Sequence, residues 1–128
     1  MSKMSNYLEN ALLNHVFRNT AMTSPTTVYV ALYTSDPTDD DTGAEVSGGG
    51  YERQAVTFSA PSNGVISNSS TIIFPVATAN WGTITHIGIK DASTGGNLLV
   101  YNAVIQPKTI NAGDQVIINA GELTITFD

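Results

Sequence analysis

Apolar residues Leu8, Ala11, Leu12, Leu13, Val16 and Phe17 recur at helical spacing, and the pattern predicts an N-terminal helix over residues 5–22. Asn6 stands as N-cap with Glu9 three residues on, the reciprocal pairing of a capping box. Thr23-Ser24-Pro25 stops the helix, because a residue before proline avoids helical backbone. At about 100° per residue the six apolar positions span roughly 240° of the circumference, whereas one packed face needs a stripe a little over about 100° wide. The helix is therefore either sunk in its own domain, or packed on its own sheet and on a partner as well. The second reading makes Leu8, Leu12, Leu13, Val16 and Phe17 interface residues.

After Pro25 the period changes to two. Residues 27–34 alternate Val28, Val30, Leu32 with Tyr29, Ala31, Tyr33, apolar on both sides, as for a strand covered on both faces. Further strands are expected over 51–59, 65–66, 71–74, 83–89, 98–105, 115–118 and 123–127. Turn chemistry separates them: Ser62-Asn63-Gly64, Pro75, Asn80-Trp81-Gly82, Gly95-Gly96-Asn97, Asn111-Ala112-Gly113-Asp114 and Asn119-Ala120-Gly121. Residues 115–127 read as a tight hairpin. About eight short strands with no helix between them predict a mainly β fold, an antiparallel β-sandwich of jelly-roll or immunoglobulin-like type carrying one N-terminal α-helix. A chain of 128 residues can bury one substantial core, so residues 1–128 form a single domain with the sandwich over 26–128.

Residues 35–50 break the period. This long segment holds Asp36, Asp39, Asp40, Asp41 and Glu45 and ends in Gly48-Gly49-Gly50; with Glu52 it carries six of the eleven acids. A loop of this length in a compact domain is functional or mobile. Asp39, Asp41 and Glu45 are candidate oxygen ligands for a hard cation. The spacing departs from a calcium loop, however, with glycine at the fifth position and glutamate at the seventh. The plainer expectation is a solvated acidic loop that repels like subunits and DNA. The triple glycine lacks the lysine and helix of a phosphate loop and reads as a hinge into the strand at Tyr51.

Composition narrows the chemistry. Charged residues are 12% of the chain, and Ser, Thr and Asn supply 38 residues, so the surface is polar mainly through neutral side chains. The net charge of −6, with five Lys plus Arg, leaves no nucleic-acid footprint. Zero cysteines exclude disulfides, thiolate metal sites and cysteine nucleophiles. No apolar run approaches the about 18 residues of a membrane-spanning helix, and Met1 to Met4 lacks the apolar core of a signal peptide. His15 and His86 have no metal-binding spacing, no nucleophile elbow is present, and no carboxylate pair stands out among Glu52, Asp91 and Glu122. The expectation is no enzyme and no cofactor. Trp81, at a turn, closes one end of the sandwich or lies in a subunit contact. If it is exposed, Trp81 with Tyr51 is a candidate contact for host surface glycan.

Several longer stretches are familiar: Asn6-Tyr7-Leu8-Glu9-Asn10 opening a helix, residues 28–38 (VYVALYTSDPT), residues 45–58 (EVSGGGYERQAVTF), residues 81–89 (WGTITHIGI) and Gly96-Asn97-Leu98-Leu99. Together, and in this order, they resemble a family of small tailed-bacteriophage and prophage virion proteins commonly labelled phage tail fibre proteins. The resemblance runs from Asn6 to Phe127. It implies a virion component assembled in the host bacterial cytoplasm, either tail-fibre-like or a capsid decoration protein. It also implies a homo-oligomer, a trimer by analogy with small virion β-sandwiches, in contact with other capsid or tail proteins. It brings no catalytic residues. Two rival functions remain at this level: a receptor-binding module for host glycan, and a prophage protein that sequesters a small ligand to block host defence.

Overall fold

A computed structural model describes residues 2–127 of the chain. Those residues form a helix, α1 (Asn6–Phe17), and nine strands: β1 (Lys3–Met4), β2 (Val28–Tyr33), β3 (Gln54–Val56), β4 (Val65–Ser67), β5 (Ile72–Ile73), β6 (Gly82–Lys90), β7 (Leu98–Ile110), β8 (Ile117–Ile118) and β9 (Thr124–Thr126). All pairings are antiparallel. One sheet runs β1-β7-β6-β2-β3, and two two-stranded pairs, β4–β9 and β5–β8, stand apart from it. The mainly β sandwich with an N-terminal helix is thus the observed architecture. Its second layer is two short pairs instead of one continuous sheet.

The alternation in β2 decides what lies on each side. Val30 and Leu32 face a core that gathers Ile84, Ile89, Leu99 and Val100 from the sheet with Ile72, Phe74 and Ile118 from the facing layer. Ala31 and Tyr33 face the other way, with Leu98 and Tyr101. Among the described residues no second sheet covers that side. Residues 36–41 lie over it, with Pro37 buried and the carboxylates of Asp39 and Asp41 bonded to the Tyr101 and Tyr33 hydroxyls. The expected cover on both faces of β2 is present, and one of the two covers is the loop.

α1 begins one residue earlier than the capping box suggests. Ser5, not Asn6, is the N-cap: its backbone is extended and its Oγ accepts from the Leu8 N–H at 3.1 Å. Pairing of Lys3 and Met4 with Tyr101 and Val100 holds the chain extended up to that point. Ser5 also ties the helix start to β7, donating from its N–H to the Leu99 carbonyl and from its hydroxyl to the Leu98 carbonyl. The helix stops at Phe17, well before residue 22. Asn19 takes a left-handed φ of 53°, the asparagine form of a helix-ending turn, and the Thr20 N–H reaches back to the Asn14 carbonyl.

The expected hairpin at 115–127 does not form. β8 pairs with β5 and β9 with β4. Buried Asn68 joins the pieces: its amide donates to the Ser70 and Asn119 carbonyls, and its Oδ1 accepts from the Leu123 N–H. Its backbone exchanges further bonds with Leu123 and Gly121. A single side chain thereby substitutes for the ladder that a continuous second sheet would supply.

Candidate functional site

The acidic segment is held at each carboxylate, to the sheet through Asp39 and Asp41 and to the helix, its own turn and the segment before β3 through the others. Lys90 at the end of β6, almost wholly buried, brings Nζ to 2.5 Å from Asp41 Oδ2, while the Tyr33 hydroxyl donates to Asp41 Oδ1 at 2.9 Å. Tyr101 donates to Asp39, and the Asn6 side-chain amide donates to Asp40 at 2.6 Å. Asp36 caps its own turn by accepting from the Thr38 N–H. Glu45 meets Arg53 in a two-pronged pair at 2.7 and 2.8 Å and accepts from the Tyr51 hydroxyl at 2.6 Å. Arg53 also donates from Nη1 to the Ala92 and Gly95 carbonyls, both at 2.8 Å. The acidic loop is solvated at Asp36, Asp39 and Asp40, as expected from sequence, and it is also strapped down over the protein.

This wiring sets the electrostatics. Burial by itself would raise the Glu45 carboxyl, but the hydrogen bonds from Arg53 and Tyr51 and the Arg53 charge hold it below its ordinary range. Burial, followed by the neighbouring carboxylates, pushes the hydroxyls of Tyr33, Tyr51 and Tyr101 up. Asp39, Asp41 and Glu45, the candidate cation ligands, each turn to a different partner. Among the described residues no three His, Cys, Asp or Glu side chains gather as a metal site.

The structure brings Trp81 and Tyr51 together, but inside. Trp81 is 5% exposed; its indole N–H donates to the Gly49 carbonyl at 2.8 Å and its ring meets Tyr51 edge-on at 5.5 Å. Tyr51 in turn stacks on Phe74. Trp81 offers no free face to a sugar, and Tyr51, partly buried, has its hydroxyl tied to Glu45 and the Leu32 N–H, so the exposed Trp81 that the glycan contact required is not there. The triple glycine explains part of this packing: Gly49 has a φ of +60°, and a Cβ on it would lie 2.9 Å from the Trp81 ring. His15 Nδ1 accepts from the Met22 N–H, and His86 Nδ1 pairs with the Thr85 hydroxyl at 2.8 Å.

The helix divides its five expected interface residues. Leu8 is buried and Leu12 packs against the same core, so these two belong to the chain's own fold. Leu13, Val16 and Phe17 point outward, with Phe17 77% exposed. They fall at i, i+3 and i+4, one stripe of the helix. Behind them, an apolar groove of about 530 Å³ is bounded by α1, the five-stranded sheet and the β4–β9 pair, lined among others by Leu8, Leu12, Met22, Phe58, Ile125 and Phe127.

Two further apolar features escaped the sequence reading. Ile73 and Ile117 are cross-strand partners in β5–β8, both about half exposed. Ile105 sits fully exposed in an irregular stretch of β7, where the register against β6 jumps from Ala103–His86 to Lys108–Ile84. The Ile73–Ile117 pair had a signal in sequence: two isoleucines in succession in each of two short strands must put one of each on either face.

The chain matches the family described as Podophage GP4 fiber I protein gp80 over residues 3–126. No curated protein matches it.

Proposed function

The chain belongs to the Podophage GP4 fiber I protein gp80 family and is thus a virion-associated structural protein of the phage-fibre type; from that premise we propose that it works by joining copies of itself, and other virion proteins, through the outward stripe of α1. The observation that carries the reading is the exposure of Leu13, Val16 and Phe17 on a helix already anchored by Leu8 and Leu12. A helix that needed only its own sheet would place polar residues there. Buried centres of protein interfaces exclude charge, and this stripe carries none. The loop supports the same reading from the other side: its acids are consumed in holding the fold, which suits a rigid building block. The protein has no enzymatic role in this proposal. Its copies assemble as a closed homo-oligomer, a trimer, in the host bacterial cytoplasm before joining the particle.

Light scattering on the purified chain tests this. The wild type is expected at a multiple of the chain mass, and Leu13→Glu with Phe17→Glu at the mass of one chain with the same far-ultraviolet dichroism. Both residues are exposed, so the variant tests contact without emptying the core. Equal mass for the two proteins would reject the helix stripe as the joining surface. Quantitative mass spectrometry of purified particles then separates positions: a handful of copies fits a tail fibre, hundreds a capsid coat.

A further inference from the structure

We propose that copies are tied together by exchange of their N-terminal arms: β1 and α1 of each chain dock on β7 of the next copy, in the seat that they fill here on their own body. The proposal rests on the self-assembly reading above and adds the element that crosses between copies.

The arm is a self-contained unit. Among the helix and strands, β1 and α1 meet only each other and β7. The chain just after the helix still belongs to the arm: the Arg18 and Thr20 N–H groups both reach the Asn14 carbonyl, and the Met22 N–H donates to His15 Nδ1. On the other side the apolar groove keeps α1 apart from the β4–β9 pair. The seat is specific. Lys3 and Met4 pair with Tyr101 and Val100, Ser5 donates to the Leu98 and Leu99 carbonyls, and Asn6 bonds Asp39 and Asp40. Leu8 and Leu12 add the apolar part. The occupant of this seat is thus visible in the structure, and exchange changes only which copy supplies it.

The hinge favours the change. Between Met22 and β2 the chain reads Thr23-Ser24-Pro25-Thr26-Thr27, exposed at every position but Pro25. Among the described residues none of these has a hydrogen-bond partner, so nothing fastens the hinge to the body. To return to its own body the chain bends at Thr26 and Thr27. Threonine prefers extended backbone, and a residue before proline, here Ser24, prefers it too. The closed chain therefore holds its hinge against local preference, and straightening relieves it. A straight hinge reaches roughly 17 Å and carries the arm to an adjacent copy. The contacts between arm and seat are the same in both forms. The balance is left to the hinge and to Leu13, Val16 and Phe17, which travel on the arm. In a closed ring each copy gives one arm and receives one, so no seat stays empty.

The test uses the absence of cysteine in the chain, which lets an introduced pair report without interference. Met4 and Val100 face each other across β1–β7, and the bond from the Ser5 N–H to the Leu99 carbonyl makes theirs the narrow pair, with Cα atoms about 4.5 Å apart. That is within reach of a disulfide. The full chain with Met4→Cys and Val100→Cys is oxidised at a concentration where the wild type is assembled, then run denatured without reductant. The expected product is one covalent species with the mass of the whole oligomer, which reduction returns to one chain, while either single variant gives no such species. Closed thiols at the mass of one chain overturn arm exchange and leave self-assembly standing. A wild type that is itself one chain over the whole concentration range removes the self-assembly reading and this proposal together. If the double variant loses its dichroism or its thiols stay open, Asn6→Cys with Asp40→Cys, at two exposed positions already in contact, replaces it. That pair is closed with a short bismaleimide and read by the same outcomes.

Discussion

Lys90 and Asp41, 49 residues apart in sequence, meet at 2.5 Å beneath the acidic segment, with the lysine side chain 6% and the aspartate side chain 27% exposed. The pair fixes the loop at its middle, and the Arg53–Glu45 pair fixes it at its end. Buried pairs add little net stability compared with apolar replacements, but removing one partner strands the other.

Lys90→Met is therefore expected to cost about 2–3 kcal/mol, somewhat under the about 3–5 kcal/mol seen for fully buried pairs, because water still reaches Asp41. On a domain of this size that lowers the melting temperature by about 10 °C. Changing Lys90→Met and Asp41→Leu together is expected to cost less than the sum of the single changes. Calorimetry on the three variants checks it; additive losses would mean that the two side chains do not act as a pair.

Acid is expected to loosen the same strap. The Glu45 carboxyl lies below its ordinary 4.5 when the protein is folded, so unfolding takes up a proton in acid. Its stabilisation is whole above about 4.5 and disappears as the pH falls through the folded value. At the alkaline end Tyr33, Tyr51 and Tyr101 are raised above the ordinary 10.0. Their contribution is whole below 10 and declines as the pH rises past it. Melting temperature against pH is expected to fall at both ends, with Glu45→Gln flattening the acid limb and Tyr51→Phe the alkaline limb. An unchanged acid limb in Glu45→Gln would remove Glu45 from this account.

Much of the architecture was legible because it rests on local period. Every strand expected between residues 27 and 127 has a counterpart, and the excess apolar surface of the helix appears as Leu13, Val16 and Phe17. What stayed hidden is long-range. β1 is two residues long, too short for an alternation to show. Asn68 lies in a run of serines between two expected strands, with nothing to mark it out, yet it is 2% exposed and ties three segments together. The acids of residues 36–41 looked like a charged loop because their partners Lys90 and Tyr101 lie on strands far along the chain. Nothing in a single sequence reports which cation a carboxylate will meet.

Trp81, the chain's one tryptophan, offers an internal probe. Its buried ring and its bond to Gly49 predict emission shifted to the blue of free tryptophan, poor quenching by iodide, and no response to added host glycans. Trp81→Phe removes one buried hydrogen bond and leaves the Gly49 carbonyl with the Thr78 N–H as a partner, so about 1–2 kcal/mol of stability is expected to go. Trp81→Ala also opens a cavity, for about 3–5 kcal/mol. Emission that changes on adding glycan would show a ring face open to ligand and reinstate that binding role.

Gly43 gives a test of the strap that changes no charge. A Cβ there would overlap the Asp36 carbonyl and lie 2.7 Å from the Pro37 Cα, both backbone atoms that cannot swing aside. The close approach exists because the Thr42 and Gly43 N–H groups both donate to the Pro37 carbonyl, at 2.6 and 3.2 Å, curling residues 37–43 into the compact turn that carries Asp39 and Asp41 to the sheet. Gly43→Ala must open that turn, and overpacking of this kind costs about 1–3 kcal/mol. The loss is expected to be local. Amides of residues 41–43 should exchange faster and proteases should cut within 36–44, while the core strands β6 and β7 keep their protection and the outward face of α1 keeps its joining function. A Gly43→Ala protein that resists proteolysis like the wild type would show that the turn is not what holds the acidic segment down. One that also fails to assemble would show that the loop, and not the helix alone, contributes to the contact between copies.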